Sequence, residues 1–211
     1  MIPARVIDLG VCDYLVAWRL QQDLLARRQE DGIPDTLILV EHPHVLTLGR
    51  NGCRDNILDP GDMPVIAVER GGDVTYHGPG QLVGYPILQL REGERDVHRY
   101  LRQLERAIIA TLADFSIPAE QRPERTGVWV GALKIASIGV AIRRLWVTMH
   151  GFAINVCPDL QRFSAINPCG LPASQMCSMA SVLGRQVSVA DVRGPLLRHL
   201  GESLGRHWHA A

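Results

Sequence analysis

The chain reads as an α/β protein of the α+β type, a mixed, largely antiparallel sheet flanked by helices. Two observations predict this. Strand-length apolar runs outnumber helical periods. Several runs are also adjacent in sequence, which a regular βαβ repeat would not allow.

Residues 13–29 form the first helical period. Asp13 can cap it, and Tyr14, Ala17, Trp18, Leu24 and Leu25 share a face. Residues 36–40 (TLILV) are a short apolar run, expected as a buried strand. Pro43 interrupts EHPHVLTLGR, and an apolar run resumes at 45–48. Residues 64–69 (PVIAVE) predict another strand. Residues 70–81 (RGGDVTYHGPGQ) read as a loop, and 82–90 return to strand.

Asp96 caps the clearest helix. Val97, Tyr100, Leu101, Leu104, Ala107, Ile108, Leu112 and Phe115 follow its 3.6 period. Residues 127–131 and 133–142 predict a hairpin, 146–156 a further strand, and 158–166 a short helix. A last helix starts near Ser188, which has capping-box spacing to Asp191. His207 and His209 read as a solvated tail. With no repeat and no long linker, residues 1–211 are expected to be one domain.

Composition narrows the function. Apolar residues make up 46% and charged residues 21%, as in an ordinary soluble globular protein. No run of eighteen apolar residues and no export signal are seen. Zero net charge argues against a protein that holds nucleic acid on a basic surface. Five cysteines without a CxxC pair fit free thiols in a reducing cytosol, and no metal site is expected.

Of 22 basic residues only Lys134 is a lysine; the other 21 are Arg. An Arg bias in the genome explains the 21. Lysine can lose its proton when desolvated and Arg effectively cannot, so the one lysine in an apolar segment points to proton chemistry. Chance survival is an equal alternative on composition alone.

Four segments could carry chemistry. In residues 70–86, glycines at 71, 72, 78 and 80 would let the backbone approach a ligand, with Tyr76 and His77 beside them. A plain strand connection is the alternative, and no nucleotide motif is present. In residues 131–142, alternation groups Lys134 with Ala136 and Ile138, so the ammonium is either desolvated or snorkels to solvent. In residues 166–172 (INPCGLP), prolines and a glycine suggest a fixed turn presenting Cys169, against the usual fate of a buried inert thiol. In residues 149–155, His150 could meet a ligand, or serve as a structural hydrogen bonder. Cys177 is close enough in sequence to share a site with Cys169.

Taken together, RGGDVTYHGPGQLVGYPI, GVWVGALKIASIGV, VTMHGFAINV and INPCG resemble the lipoyl(octanoyl) transferases, in the family's order and spacing. The resemblance runs from about residue 41 to 172. It implies the fold of the biotin and lipoate protein ligase catalytic domains. It implies that Cys169 is an acyl-thioester nucleophile and that Lys134 assists it. The acyl substrate site would comprise Arg70, Gly71, Gly72, Asp73, Val74, Thr75, Tyr76, His77, Ser137, Ile138, Gly139, Gly151, Phe152 and Ala153.

The donor it implies is octanoyl-acyl carrier protein, its acyl group on the phosphopantetheine arm, with no other cofactor. The acceptors are lipoyl domains of 2-oxoacid dehydrogenase E2 subunits and the glycine cleavage H protein. No nucleic acid or membrane partner is expected. Rival expectations are an ATP-dependent lipoate or biotin ligase of the same fold, a non-enzymatic carrier-protein binding module, and a cysteine hydrolase using His77 or His150 as base.

Overall fold

The structure is a computed structural model describing residues 1–167 and 173–210. Its strands are β1 (Ile2–Val11), β2 (Asp35–Glu41), β3 (Val45–Leu48), β4 (Val65–Ala67), β5 (Val74–His77), β6 (Gln81–Ile87), β7 (Glu120–Arg122), β8 (Arg125–Val130), β9 (Leu133–Ile142), β10 (Thr148–Asn155) and β11 (Arg206–Ala210). The helices are α1 (Tyr14–Gln29), α2 (Val97–Ala113), α3 (Met179–Leu183) and α4 (Val189–Leu204).

Among the described residues an eight-stranded sheet runs β11-β1-β2-β6-β10-β9-β8-β7. The β11–β1 and β1–β2 pairs are parallel, and the remaining pairs are antiparallel. This is the mixed, largely antiparallel sheet expected. A small second sheet, β4-β3-β5, stands apart from it.

The sheet is buried on both faces, which is why TLILV shows no polar alternation. Leu37 and Leu39 pack with α2 and α4, whereas Ile38 and Val40 pack with α1. The helix starts follow the sequence signals. Asp13 Oδ1 accepts from the N–H of Leu15 (2.8 Å) and of Val16 (3.3 Å), and Asp96 Oδ1 accepts from the Arg99 N–H (3.0 Å). Ser188 and Asp191 form the expected capping box on α4.

Three local expectations are corrected. Residues 70–81 are not all loop, because Val74–His77 form β5 against β3. The chain end is not a tail: Arg206–Ala210 pair with β1, though His207 and His209 stay exposed on that strand. Strand β1, for which no run was picked out, is the register partner that makes this possible. At Lys134 simple alternation also fails. A bulge in the β8–β9 ladder lets consecutive residues Ile135 and Ala136 both enter the core under α2 and α4.

Candidate active site

Strand β5 sorts the glycine-rich segment into two faces. Val74 and Tyr76 point away from the sheet into a separate apolar cluster with Leu46, Phe163 and Ile166. Thr75 and His77 point the other way, into a pocket between the two sheets. The period of two along a strand requires this split. Asp73, just before β5, does not line the pocket. It accepts from the Cys53 N–H (3.0 Å) and from the Asn56 side-chain amide, and so fixes the turn before β5.

The pocket has about 580 Å³ of empty space, its mouth included. Arg70, Gly71 and Gly72 line one wall, with Ser137, Ile138 and Gly139 of β9 and Gly151, Phe152 and Ala153 of β10 opposite. Those last two triplets are cross-strand partners, Ser137 with Ala153, Ile138 with Phe152, Gly139 with Gly151. The Gly71 N–H donates to the Val140 carbonyl (2.9 Å), which ties the loop to β9. Close approach demands glycine here: a Cβ at 139 would sit 3.0 Å from the Gly71 carbonyl oxygen, and one at 151 only 2.1 Å from that of Gly84. Arg70 is buried, its guanidinium donating to the Thr47 carbonyl (2.7 Å) and hydroxyl (2.9 Å).

Lys134 is 6% exposed and reaches this pocket. Lys134, Gly71, Gly72, Ile138 and Gly139 also line a wider groove toward Val97 and Leu101 of α2, so the lysine stands where pocket and groove meet. Its Nζ is 5.6 Å from the centre of the Trp129 ring, within cation–π range. Lys134 pairs with Met176, and its carbonyl accepts from the Cys177 N–H (3.0 Å).

Cys169 lies outside the described residues. Both flanks of its segment are anchored. The Asn167 N–H donates to the Asn56 carbonyl (2.8 Å), and Met176 and Cys177 are bonded to Lys134. Cys177 itself is buried, and burial pushes its thiol up to about 11. That disfavours a thiolate there.

The end of the pocket away from Lys134 holds residues the sequence did not group. Tyr14 of α1, Tyr85 of β6 and His150 of β10 line it beside His77, and His42 lies behind them. The sequence signals were Tyr14 on the buried face of α1 and His150 as a possible ligand contact; nothing local shows that α1 crosses β6 and β10.

The proton positions follow from the hydrogen bonds. The Asn155 amide donates to the Cys177 carbonyl (2.9 Å), so its oxygen accepts from Gln81 (3.0 Å). The Gln81 oxygen is thereby an acceptor and must receive the His77 Nδ1–H (3.2 Å), leaving His77 Nε2 without a proton. His42 donates Nδ1–H to the Cys12 carbonyl (2.7 Å) and accepts the Tyr85 hydroxyl at Nε2 (2.8 Å).

His150 sits in the left-handed region (φ 59), held there by its N–H donating to Gln21 Oε1 (3.0 Å). Its Nε2–H faces Glu69 (3.3 Å), and its buried Nδ1 has no partner among the described residues. Burial holds His77 well below its usual range and His150 down to about 4, and it also lowers His42. The three imidazoles are neutral at pH 7. Burial raises Tyr14 and Tyr85, which keep their protons.

Comparisons with known proteins agree with this architecture. The model of the lipoyl protein ligase A/B catalytic domain matches residues 13–201. An octanoyltransferase of Geobacter metallireducens is 52% identical over 186 residues, covering 88% of this chain and 86% of that protein. The bipartite lipoate protein ligase of Thermoplasma acidophilum, solved in a study that includes its E2 lipoyl domain, superposes with a TM-score of 0.78 at 17% identity, over 100% of this chain and 87% of that one. The biotin protein ligase of Aquifex aeolicus gives 0.55 at 14%, over 97% and 70%. The fold is therefore that of the lipoate and biotin protein ligases, and the chain belongs to the lipoyl(octanoyl) transferase family.

Proposed function

We propose that this chain transfers an octanoyl group from octanoyl-acyl carrier protein, through a thioester on Cys169, to a lysine of lipoyl domains. Those domains would be carried by 2-oxoacid dehydrogenase E2 subunits and the glycine cleavage H protein. The whole chain, residues 1–211, acts as one catalytic domain in a reducing cytosol where Cys169 stays a free thiol. Lys134 supports the reading most directly: the chain's one lysine is buried at the junction of the pocket under the glycine-rich loop and an open groove.

Two exchanges suffice. The Cys169 thiolate attacks the donor thioester carbonyl; the carrier sulfur leaves and takes a proton. The acceptor amine then attacks the Cys169 thioester, the Cys169 sulfur leaves, and an amide forms. Each amine that attacks must first lose a proton. A lysine withdrawn from water gives up and regains protons near neutral pH more readily than one at the surface. As an ammonium Lys134 stabilises the thiolate, and as an amine it accepts the acceptor's proton. The acyl chain runs into the pocket along Ile138, Gly139, Gly151, Phe152 and Ala153, while Arg70, Gly71, Gly72, Thr75 and His77 cover it. Asp73, Val74 and Tyr76 serve from behind by fixing β5. No ATP is consumed, because the donor thioester is already activated.

Mass spectrometry after mixing with octanoyl-acyl carrier protein tests the proposal. The expected result is an octanoyl adduct on Cys169 that is lost in Cys169→Ser and discharged by a lipoyl domain. An adduct on Cys177, or activity that needs ATP and free octanoate, would overturn it.

A further inference from the structure

We infer that Gly127 and Glu105 are positioning residues for Lys134: the missing side chain at 127 makes the space in which the lysine stem lies, and the Glu105 carboxylate holds that space open. The inference rests on the proton-handling role proposed for Lys134.

Gly127, on β8, has φ +128, a conformation that L side chains rarely adopt. A Cβ there would lie 2.5 Å from Lys134 Cε, 3.3 Å from Nζ and 2.8 Å from the Ala136 carbonyl oxygen. Any side chain at 127 must therefore displace the lysine or the strand beside it. The lysine is confined from two positions further on too, since Trp129 pairs with it across the ladder and its ring faces Nζ.

Glu105 explains why the backbone stays in this conformation. It is fully buried on α2, where an unpaired carboxylate would be costly. One oxygen accepts the Gly127 N–H at 2.9 Å, and the other accepts from Arg102 at 2.7 Å. Arg102 also donates to the carbonyls of Arg122 (3.0 Å) and Pro123 (2.6 Å), tying the turn between β7 and β8 to α2. Among the described residues the charged groups near Lys134 include Glu105 and Arg102 behind Gly127, Glu124 in the shared groove, Arg122 and Arg125 at the Trp129 ring (4.5 and 6.0 Å from its centre), and Arg70 across the pocket.

Lys134 is the chain's one lysine, so an amine-specific acylating reagent has only the N-terminus as another target. Labelling at Lys134, read by peptide mass spectrometry across pH on the full chain, reports its surroundings without reference to turnover. Gly127→Ala and Glu105→Ala are expected to lower kcat about 100-fold with little change in KM, the cost of an ångström-scale misplacement. Both should move the pH profile of Lys134 labelling, and neither should add to the loss in a Lys134→Ala background. Glu105→Gln, which keeps an acceptor oxygen, should recover most of the activity lost in Glu105→Ala. Additive losses in the double variants, an unchanged labelling profile, or no recovery with Gln would overturn the inference. Should Gly127→Ala fail to fold, the two Glu105 variants decide the matter alone. Full activity in Lys134→Ala would defeat the catalytic reading, while labelling would still decide the positioning.

Discussion

The two ends of the pocket use polar residues in opposite ways. At one end Lys134, the proposed proton carrier, lies over a glycine and opens to a groove. At the other, Tyr14, Tyr85, His42, His77 and His150 form a buried layer, in which fixed acceptors assign the protons of Tyr85 and the three histidines. Burial penalises charge at both ends. For the histidines burial only deepens a neutrality they already have near pH 7, whereas the proposed reaction asks Lys134 to pass between its two forms. The histidine end therefore shapes the cavity without titrating near pH 7, and the proposed mechanism assigns the proton traffic to the lysine end.

This contrast is open to four tests. The largest effect is expected from Lys134→Arg and Lys134→Ala, each lowering kcat by about 10²–10⁴-fold. Arg keeps the charge and cannot exchange the proton, so Arg turnover near that of the parent would refute the contrast at its centre. Next, Gln81→Leu removes the group that fixes the His77 proton, and takes a hydrogen-bond partner from His77, Asn155 and the Tyr76 carbonyl. A loss of about 1–3 kcal/mol in denaturant unfolding is expected, with kcat changed far less than by the Lys134 variants.

Gly84→Ala is expected to act on chain length. A Cβ at 84 would lie 2.2 Å from the Phe152 ring, which must shift within the pocket. Selectivity measured with hexanoyl and octanoyl carriers should move about tenfold toward the shorter chain, the scale of one or two methylenes; an unchanged ratio would separate Phe152 from the acyl path.

At neutral pH the smallest change comes from protonation of the buried layer. His150 titrates near 4 when folded and near 6.5 when unfolded, so the unfolded chain binds more protons in between. Stability should rise with pH over that window and level off above it. Replacing His150 with Gln should flatten part of the rise, and an equal slope in both proteins would count against its buried neutral state.

The sequence by itself made a good deal of this legible, for physical reasons that are local. Asp13, Asp96 and Ser188 announce helix starts because a cap bonds within three residues of itself. TLILV announces a two-sided strand because both faces of the sheet are covered. The family resemblance carried by the four motif segments implied one candidate set; Lys134, Arg70–Gly72, Thr75, His77 and the β9 and β10 triplets lie around one pocket, whereas Asp73, Val74 and Tyr76 of that set do not line it.

Tertiary structure decided what depends on distant pairing. β11 forms only because β1, some 200 residues earlier, offers it a parallel edge. His150 enters the pocket because Gln21 of α1 holds its backbone in the left-handed region. The β8–β9 bulge, invisible to a period of two, redirects the chain at Lys134. Tyr14, Tyr85, Gly127 and Glu105 join the site through contacts across helix and sheet, and no spacing along the chain encodes such contacts. A sequence can name the groups that do chemistry, since their types are rare and specific. Their protonation and aim are set by burial and by neighbours, which exist only once the chain has folded.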